Sequence, residues 1–112
     1  MIHPYDSIRK MVSQNCFIDG IVCYNDQIAM KVIQALYDEG IKVPEQISVT
    51  GYDNSYMANS NGLRLTTILH PQEKLGEMAA EVLINKIKDQ NFIQRENLIS
   101  TELIPRLSTR KV

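Results

Sequence analysis

Apolar and polar positions alternate along the chain with two different periods, and the change of period separates strands from helices. Residues 18–24 and 47–52 are short apolar runs rich in β-branched side chains, which is typical of buried strands. Between these runs, apolar residues recur at helical spacing from 28 to 36, and Gly40 and Pro44 follow as helix-end signals. A strand, a helix and a strand joined in this way predict parallel pairing through a right-handed crossover.

The same pattern predicts the remaining elements. Residues 4–15 and 73–89 show helical periodicity, residues 65–69 form a third apolar run, and residues 97–107 are predicted to be extended. The stretch 53–64 is rich in Asn, Ser and Gly, which is typical of a loop. The expected fold class is therefore α/β with a parallel sheet. Because so few strands cannot complete a doubly wound sheet, we expect an incomplete part of a larger fold.

The helix predicted to follow Asn25 and to end near Glu39 has more apolar surface than one sheet face requires. Its apolar positions are Ile28, Ala29, Met30, Val32, Ile33, Ala35, Leu36 and Tyr37. A surface helix normally keeps one broad polar face, and this one has few polar positions. We therefore expect the helix to contact a second subunit as well as the sheet. Burial in the core of a larger domain is the alternative.

Each of the first two predicted strands ends in a pair of polar residues. Asn25 and Asp26 follow the first strand, and Asp53 and Asn54 follow the second. In an open parallel sheet, ligands bind in the crevice beyond these strand ends. Sugar hydroxyls need partners that accept and donate hydrogen bonds, and Asn25 and Asp53 together offer both. Two structural roles compete with this interpretation: Asn25 as a helix cap and Asp53 as an Asx-turn residue.

Other kinds of site find less support. A carboxylate pair of Asp26 and Asp53 is the enzymatic alternative, but the sequence offers no evident nucleophile with a base beside it. The turn sequences YNDQ and YDNS contain no glycine, which argues against a phosphate cradle. His3 and His70 lack metal-ligand spacing relative to the cysteines. We therefore expect a binding site without catalysis, metal ion or cofactor.

Composition narrows the class of protein further. The 112 residues carry a net charge of −1 with no basic stripe, so we do not expect the chain to bind nucleic acid itself. No apolar run approaches the roughly 20 residues of a membrane span, and residues 1–10 do not look like a signal peptide. Cys23 lies inside a predicted strand, where it would be a small core residue. Reduced thiols at Cys16 and Cys23 would fit a cytoplasmic protein.

Four stretches resemble the effector domain of the lactose-repressor family of bacterial transcription regulators. They are GIVCYNDQIAMKVIQAL, GIKVPEQISVTGYDNS, LRLTTILHPQEKLGEMAAEVL and STELIPRLST. They occur in family order at family spacing, within residues 18–109. Within the family, VCYNDQIA, GYDNS and LTTILHP are most similar to the arabinose-responsive members. One departure is Asn54, which stands where the family pattern has a second acidic residue.

The resemblance implies a fold of two similar α/β lobes around a sugar cleft, related to periplasmic sugar-binding proteins. It assigns residues 1–69 and 101–112 to the C-terminal lobe and residues 72–98 to the N-terminal lobe. The chain would then be the C-terminal part of a sugar-responsive, cytoplasmic repressor. The DNA-binding domain and most of both lobes would lie outside it.

The resemblance also assigns roles to individual residues. Positions matching Asn25 and Asp53 bond sugar hydroxyls in such repressors, and the position of His70, at the crossover between lobes, can face the cleft. The surfaces used for dimerisation match Met30, Ile33, Gln34, Asn59 and Asn61. The implied partners are a small sugar effector and a second copy of the chain. DNA would be contacted only through another domain, and no membrane is involved.

Two rivals to a repressor remain open. A sugar-binding protein of a transport system would have the same fold, and the lack of an export signal argues against it. An enzyme built on a doubly wound sheet is the other rival. Turnover of a sugar or sugar phosphate would distinguish it from a binding protein.

Overall fold

A computed structural model describes residues 3–60, 62, 64–94 and 96–111, and its helices and strands follow the predicted order. The elements are α1 Pro4–Ser13, β1 Gly20–Val22, α2 Asp26–Asp38, β2 Ser48–Thr50, β3 Thr67–Leu69, α3 Gln72–Lys88 and β4 Glu102–Ile104. The predicted loop contains a short 3-10 helix, Tyr56–Asn59. Each strand has 3 residues and is shorter than the stretch predicted for it, because only part of each stretch pairs with a neighbouring strand.

Local sequence signals explain where α2 begins and ends. Asn25 is the N-cap, and its Oδ1 accepts a hydrogen bond from the Ile28 amide at 2.8 Å. Asp26 places a negative charge in the first turn, where the helix dipole favours it. Beyond Asp38, Gly40 adopts a positive φ of 74°, which a residue without a Cβ reaches with little strain.

β1 and β2 pair in parallel, which confirms the predicted strand-helix-strand unit. Gly20 lies opposite Ser48, and Val22 lies opposite Thr50. A parallel bridge between Thr50 and Thr66 extends the pairing toward β3. β3 pairs in turn with β4 in a second two-stranded sheet. The order of strands therefore places the end of β2 between the end of β1 and the segment that leads into β3.

Hydrogen bonds of Ser108 hold the segment after β4 against the first sheet. Its carbonyl accepts from the Val49 amide at 2.8 Å, and its hydroxyl donates to the Val49 carbonyl at 2.6 Å. The same hydroxyl accepts from the Thr66 amide at 2.8 Å. Ser108 is fully buried, and these bonds satisfy its polar groups. The closing segment therefore has a defined place against β2.

The chain forms two compact units. The first comprises residues 1–69 and 103–112, and the second comprises residues 70–102. These bounds lie close to the ranges that the family resemblance implies for two lobes. That the first unit belongs to a C-terminal lobe and the second to an N-terminal lobe stays a prediction.

Much of the apolar surface of α2 is covered within the chain. α1 packs on α2, and both helices contribute to one core with the first sheet. The core residues are Ile8, Cys23, Ala29, Val32, Ile33, Ala35, Leu36, Ile47, Val49, Ala58 and Leu65. Ile33 is only 8% exposed. α1 thus covers part of the apolar surface that the sheet leaves open, while Met30 is half-buried and Tyr37 is 77% exposed. A subunit contact by α2 therefore stays a prediction, and Ile33 is the predicted contact residue that the structure places in the core instead.

Two polar contacts accompany the packing of α1 on α2. The Tyr5 hydroxyl donates to the Asp38 carboxylate, and the Arg9 guanidinium donates to Glu39 at 2.9 Å. The Tyr5 bond holds the pKa of Asp38 below its ordinary value and raises the pKa of Tyr5. The lowered pKa of Asp38 means that its contribution to stability is present above the ordinary carboxyl pKa. That contribution is lost as the pH falls through the lowered value.

The second unit is built around α3. None of the residues of α3 is buried. Leu83 is 60% exposed and Ile87 is 72% exposed, although both belong to the apolar stripe of the helical pattern at residues 73–89. Within its own unit this stripe therefore stays open to solvent, and apolar surface of this kind favours association.

Ile33→Ala should test whether this side chain belongs to the core. It should lower the free energy of unfolding by about 2–5 kcal/mol, because a buried branched side chain leaves a cavity. Gln34→Ala, at the next and exposed position, should change it by less than about 0.5 kcal/mol. Urea denaturation followed by circular dichroism measures both. A small loss of unfolding free energy in Ile33→Ala, together with weaker self-association in sedimentation, would instead identify Ile33 as a subunit contact.

The two cysteines should differ sharply in reactivity. Both are free thiols, Cys16 exposed and Cys23 buried, and burial raises the pKa of Cys23 to about 11. Because the thiolate is the reactive form, iodoacetamide at mildly alkaline pH should modify Cys16 and spare Cys23 until urea unfolds the chain. Both lie in one tryptic peptide, so tandem mass spectrometry must locate the adduct. Equal modification of the native chain would contradict the burial of Cys23.

Candidate functional site

The turns that follow β1 and β2 lie side by side at one edge of the first sheet. The Asp26 amide donates to the Tyr52 carbonyl at 2.9 Å, so pairing continues beyond both strands. Asn25 precedes the donor of this bond, and Asp53 follows its acceptor. The structure thus brings the backbones of the two sugar-binding candidates to neighbouring positions, although the two residues are 28 positions apart in the sequence.

Asn25 has the structural role that competed with sugar binding in the sequence. Its Oδ1 is engaged by the Ile28 amide at the N-terminus of α2. The NH2 group of the same side chain is a donor, and Asn25 is half-buried. Tyr24, directly before it, is 86% exposed. At this edge Asn25 therefore offers a donor rather than both kinds of hydrogen-bonding group.

Asp53 lies in a turn with unusual backbone geometry. Asp53 and Asn54 both have positive φ, 102° and 48°. Asp and Asn tolerate this region better than other residues with a Cβ. The Asp53 amide donates to the Ile68 carbonyl at 3.0 Å, and the Asn54 amide donates to Thr67 Oγ1 at 3.3 Å. The turn conformation determines the direction in which the Asp53 side chain leaves the backbone.

Asp26 is a buried carboxylate with partners in two other parts of the chain. It is 1% exposed, and its Oδ2 accepts from the Ser55 amide at 2.6 Å while its Oδ1 accepts from the Thr67 hydroxyl at 2.5 Å. Both oxygens are thus engaged in holding the fold. This geometry removes the support for an acid-base pair with Asp53. Sequence reasoning missed the contact because Thr67 lies 41 positions away.

Sequence reasoning also did not single out Arg106, which contacts the same turn. Its Nη2 donates to Asn54 Oδ1 at 2.7 Å, and its Nη1 donates to the Leu65 carbonyl at 3.0 Å. Its backbone amide donates to Thr66 Oγ1 at 2.8 Å. Arg106 and Asn54 are 52 positions apart, so spacing carried no signal. The one available hint was that Arg106 lies in the closing stretch STELIPRLST.

A polar cleft of about 290 Å³ opens beside this turn. Its lining residues are Asn54, Ser55, Tyr56, Asn59, Ser60 and Arg106. Among the residues that the structure describes, Ser55 Oγ is buried without a hydrogen-bond partner. The cleft lining does not include Asn25 or Asp53. The cleft and the strand-end edge are therefore distinct surfaces connected through the turn.

The third predicted ligand residue, His70, belongs to the second unit. It is the first residue of that unit and is half-buried. Its Nε2 lies 3.4 Å from the Gln72 side-chain nitrogen. Its role toward a ligand stays a prediction.

The predicted dimer residues have different environments. Met30 is half-buried, and Gln34 and Asn59 are exposed. The side-chain NH2 group of Gln34 donates to the Asp38 carboxylate at 2.9 Å within α2. Ile33 lies in the core, as described above, and Asn61 lies outside the described residues. Met30, Gln34 and Asn59 therefore stay as predicted partner contacts.

The described part of the chain contains neither a helix that could span a membrane nor a cluster of metal-ligating side chains. None of the helices there is both long enough and apolar enough to cross a bilayer. Across the same residues, no three side chains of the types His, Cys, Asp and Glu come together in a way that could hold a metal ion.

Comparison with known proteins gives a consistent set of relatives. The periplasmic-binding-protein-like domain family matches residues 4–109. The arabinose metabolism transcriptional repressor of Halalkalibacterium halodurans is 39% identical over 95 residues, which are 80% of this chain and 25% of that protein. The HTH-type transcriptional repressor PurR of Photobacterium profundum is 40% identical over 91 residues, which are 81% of this chain and 27% of that protein.

A solved structure extends the comparison to three dimensions. A LacI family transcriptional regulator from Enterococcus faecium with bound ribose is 27% identical and superposes with a TM-score of 0.82, covering 95% of this chain and 39% of that one. This likeness confirms the predicted fold class. The chain spans only about a quarter of the length of the curated relatives it matches.

Gly51→Ala should disrupt this edge of the sheet. A Cβ at Gly51 would lie 2.3 Å from Asp26 Oδ1 and 2.9 Å from Leu65 Cδ2, so the carboxylate would have to move. The substitution should lower the free energy of unfolding by about 1–3 kcal/mol. Gly76→Ala is the matched control, because nothing lies within 4 Å of its Cβ position in α3, and it should raise stability by about 0.5–1 kcal/mol. Equal stability of the two variants in urea denaturation would contradict the crowding at Gly51.

Proposed function

The chain belongs to the periplasmic-binding-protein-like domain family, in the form found at the C-terminal end of lactose-repressor-type regulators, and from that premise we propose its function. It is the effector-binding and dimerisation part of a cytoplasmic bacterial transcriptional repressor. Its effector is a neutral sugar, L-arabinose. Its activity is binding without turnover, and DNA is contacted by a domain outside this chain.

The observation that carries the proposal is the placement of two polar turns at the carboxyl ends of parallel β1 and β2. Ligands of open parallel sheets bind at this position. The Asp53 carboxylate can accept hydrogen bonds from sugar hydroxyls, and the Asn25 NH2 group can donate one. The exposed ring of Tyr24 offers a flat apolar surface to the C–H groups of a sugar. This combination suits recognition of a polyol by hydrogen bonding and stacking.

The choice of a sugar, and of arabinose among sugars, draws on the relatives. The Enterococcus faecium regulator holds ribose, a five-carbon sugar, and the Halalkalibacterium halodurans relative is an arabinose repressor. Sequence identity alone does not decide between effectors, because the PurR relative is 40% identical and the arabinose repressor is 39% identical. The stretches VCYNDQIA, GYDNS and LTTILHP favour arabinose, because they are most similar to the arabinose-responsive members.

A sugar bound at this edge would act by favouring one arrangement of the two lobes of the full regulator. It can change DNA affinity only if it binds the two arrangements unequally, and such couplings are typically about 1–3 kcal/mol. The proposed dimer contact uses Met30 and Gln34 of α2 with Asn59 of the 3-10 helix. Ile33 supports this surface from the core rather than forming part of it.

Asp53→Ala should remove sugar binding. The test uses the protein encoded by the complete reading frame that contains this chain, titrated by calorimetry with L-arabinose, D-ribose and cellobiose. We expect the wild type to bind L-arabinose best. Loss of the carboxylate should weaken binding by about tenfold or more, since a hydrogen bond to a charged group contributes about 1.5–3 kcal/mol.

Asp19→Ala is the matched control, because Asp19 is an exposed carboxylate at the opposite end of β1. It should leave sugar affinity unchanged. A wild type that binds none of the three sugars, or an Asp53→Ala variant with normal affinity, would refute the proposed site. Saturable conversion of a sugar that disappears in Asp53→Ala would instead identify an enzyme.

A further inference from the structure

We propose that Arg106 is a positioning residue of the sugar site: it holds the turn from which the Asp53 side chain projects. This inference rests on the proposed function and deepens it. Arg106 lies in the segment after β4, far along the chain from the turn. Its guanidinium nevertheless bonds to Asn54 Oδ1 at 2.7 Å and to the Leu65 carbonyl at 3.0 Å.

The turn at Asp53 and Asn54 requires support from its surroundings. Two consecutive residues with a Cβ have positive φ there, and the φ of 102° at Asp53 lies beyond the usual left-handed region. Such conformations persist when neighbouring groups hold them in place, and they cluster at ligand sites. The question for this site is therefore which groups hold the turn.

The backbone of the turn is held from the side of α2 and β3. The Asp53 amide donates to Ile68, and the Ser55 amide donates to the buried carboxylate of Asp26. The Thr67 hydroxyl accepts from the Asn54 amide while donating to Asp26. These bonds fix the N–H groups of the turn, but none of them restrains the Asn54 side chain.

Arg106 supplies that restraint. Its planar guanidinium reaches two acceptors at once, the Asn54 amide oxygen and the Leu65 carbonyl, in a fork that a lysine cannot reproduce. Arg106 is itself fixed, because its backbone amide donates to Thr66 Oγ1 and the buried Ser108 follows two positions later. The turn is thus held by Asp26 at its backbone and by Arg106 at the Asn54 side chain.

Loss of this fork would let Asn54 rotate and the turn relax toward ordinary φ values. The Asp53 carboxylate would then move relative to Asn25 without any sugar-contacting group being removed. Misplacing a charged hydrogen-bond acceptor can weaken affinity by about tenfold or more, because its bonds to the ligand are then lost. Arg106 therefore affects affinity through geometry, and its effect should depend on Asn54.

A double-mutant cycle tests this dependence, using the protein encoded by the complete reading frame. Calorimetry with L-arabinose is applied to Arg106→Ala, Asn54→Ala, the double variant and Arg106→Lys. Arg106→Ala should weaken binding by about tenfold or more. The double variant should bind no more weakly than the weaker single variant, because both changes break one contact. Arg106→Lys should be intermediate, since it keeps the charge and loses the fork.

Arg110→Ala is the matched control. Arg110 lies in the same closing segment and its guanidinium also donates to a backbone carbonyl, that of Glu45 at 3.2 Å, but it does not bond to the turn. It should leave sugar affinity unchanged. Hydrogen exchange measured by mass spectrometry on the peptide spanning residues 52–60 gives a second readout that needs no ligand. Exchange there should speed up in Arg106→Ala and not in Arg110→Ala.

The outcomes separate the inference from the proposed function. Unchanged affinity and exchange in Arg106→Ala, additive losses in the cycle, or an equal loss of affinity in Arg110→Ala would each overturn the positioning role. A wild type that binds no sugar would overturn the proposed function, and with it any role of Arg106 in sugar binding. In that case the exchange data still decide whether Arg106 holds the turn.

Discussion

The carboxylate of Asp26 is the interaction on which the carboxyl edge of this sheet depends. It begins α2, accepts from the loop at Ser55 and accepts from Thr67 on β3, so it joins three parts of the chain at one point. A buried charge is costly unless it is fully hydrogen-bonded, and here both oxygens are engaged near the positive end of a helix dipole. The Asp26 carboxylate occupies the space that a side chain at residue 51 would need. Asp26 can therefore keep this position only if residue 51 is glycine.

The geometry of the candidate site depends on the position of the Asp26 carboxylate. A turn with two positive φ values carries Asp53, and this turn is bonded to both the Asp26 carboxylate and the Arg106 guanidinium. Neither of these charged groups is part of the proposed sugar contact. They explain why a polar side chain can have a fixed direction at the end of a strand of only 3 residues. Binding groups in loops need this kind of support, because loop backbone has no ladder of its own.

The packing of α2 shows that excess apolar surface on a helix does not by itself identify what covers it. The helix does carry excess apolar surface, and that surface does need a second partner besides the sheet. One such partner is α1 of the same chain, with Ile8 in the core and Tyr5 bonded to Asp38. Sequence pattern reports how much apolar surface a helix must bury, but it does not report what covers it. α3 shows the converse, since its stripe is equally apolar and is not buried in its own unit.

The sequence by itself determined the order and type of the elements, the parallel pairing of β1 and β2, and the strand ends at which polar groups gather. These features follow from local periodicity, from caps such as Asn25 and from end signals such as Gly40, all of which act within a few residues. Only the tertiary structure decided that Asp26 is a buried anchor, that Ile33 is core and that Arg106 reaches Asn54. Those contacts join side chains 41 and 52 positions apart, and such partners are set by how strands pair and how the chain returns to the sheet. Local sequence patterns do not predict these long-range contacts, because the length of a loop places few restrictions on which distant segment packs beside a turn.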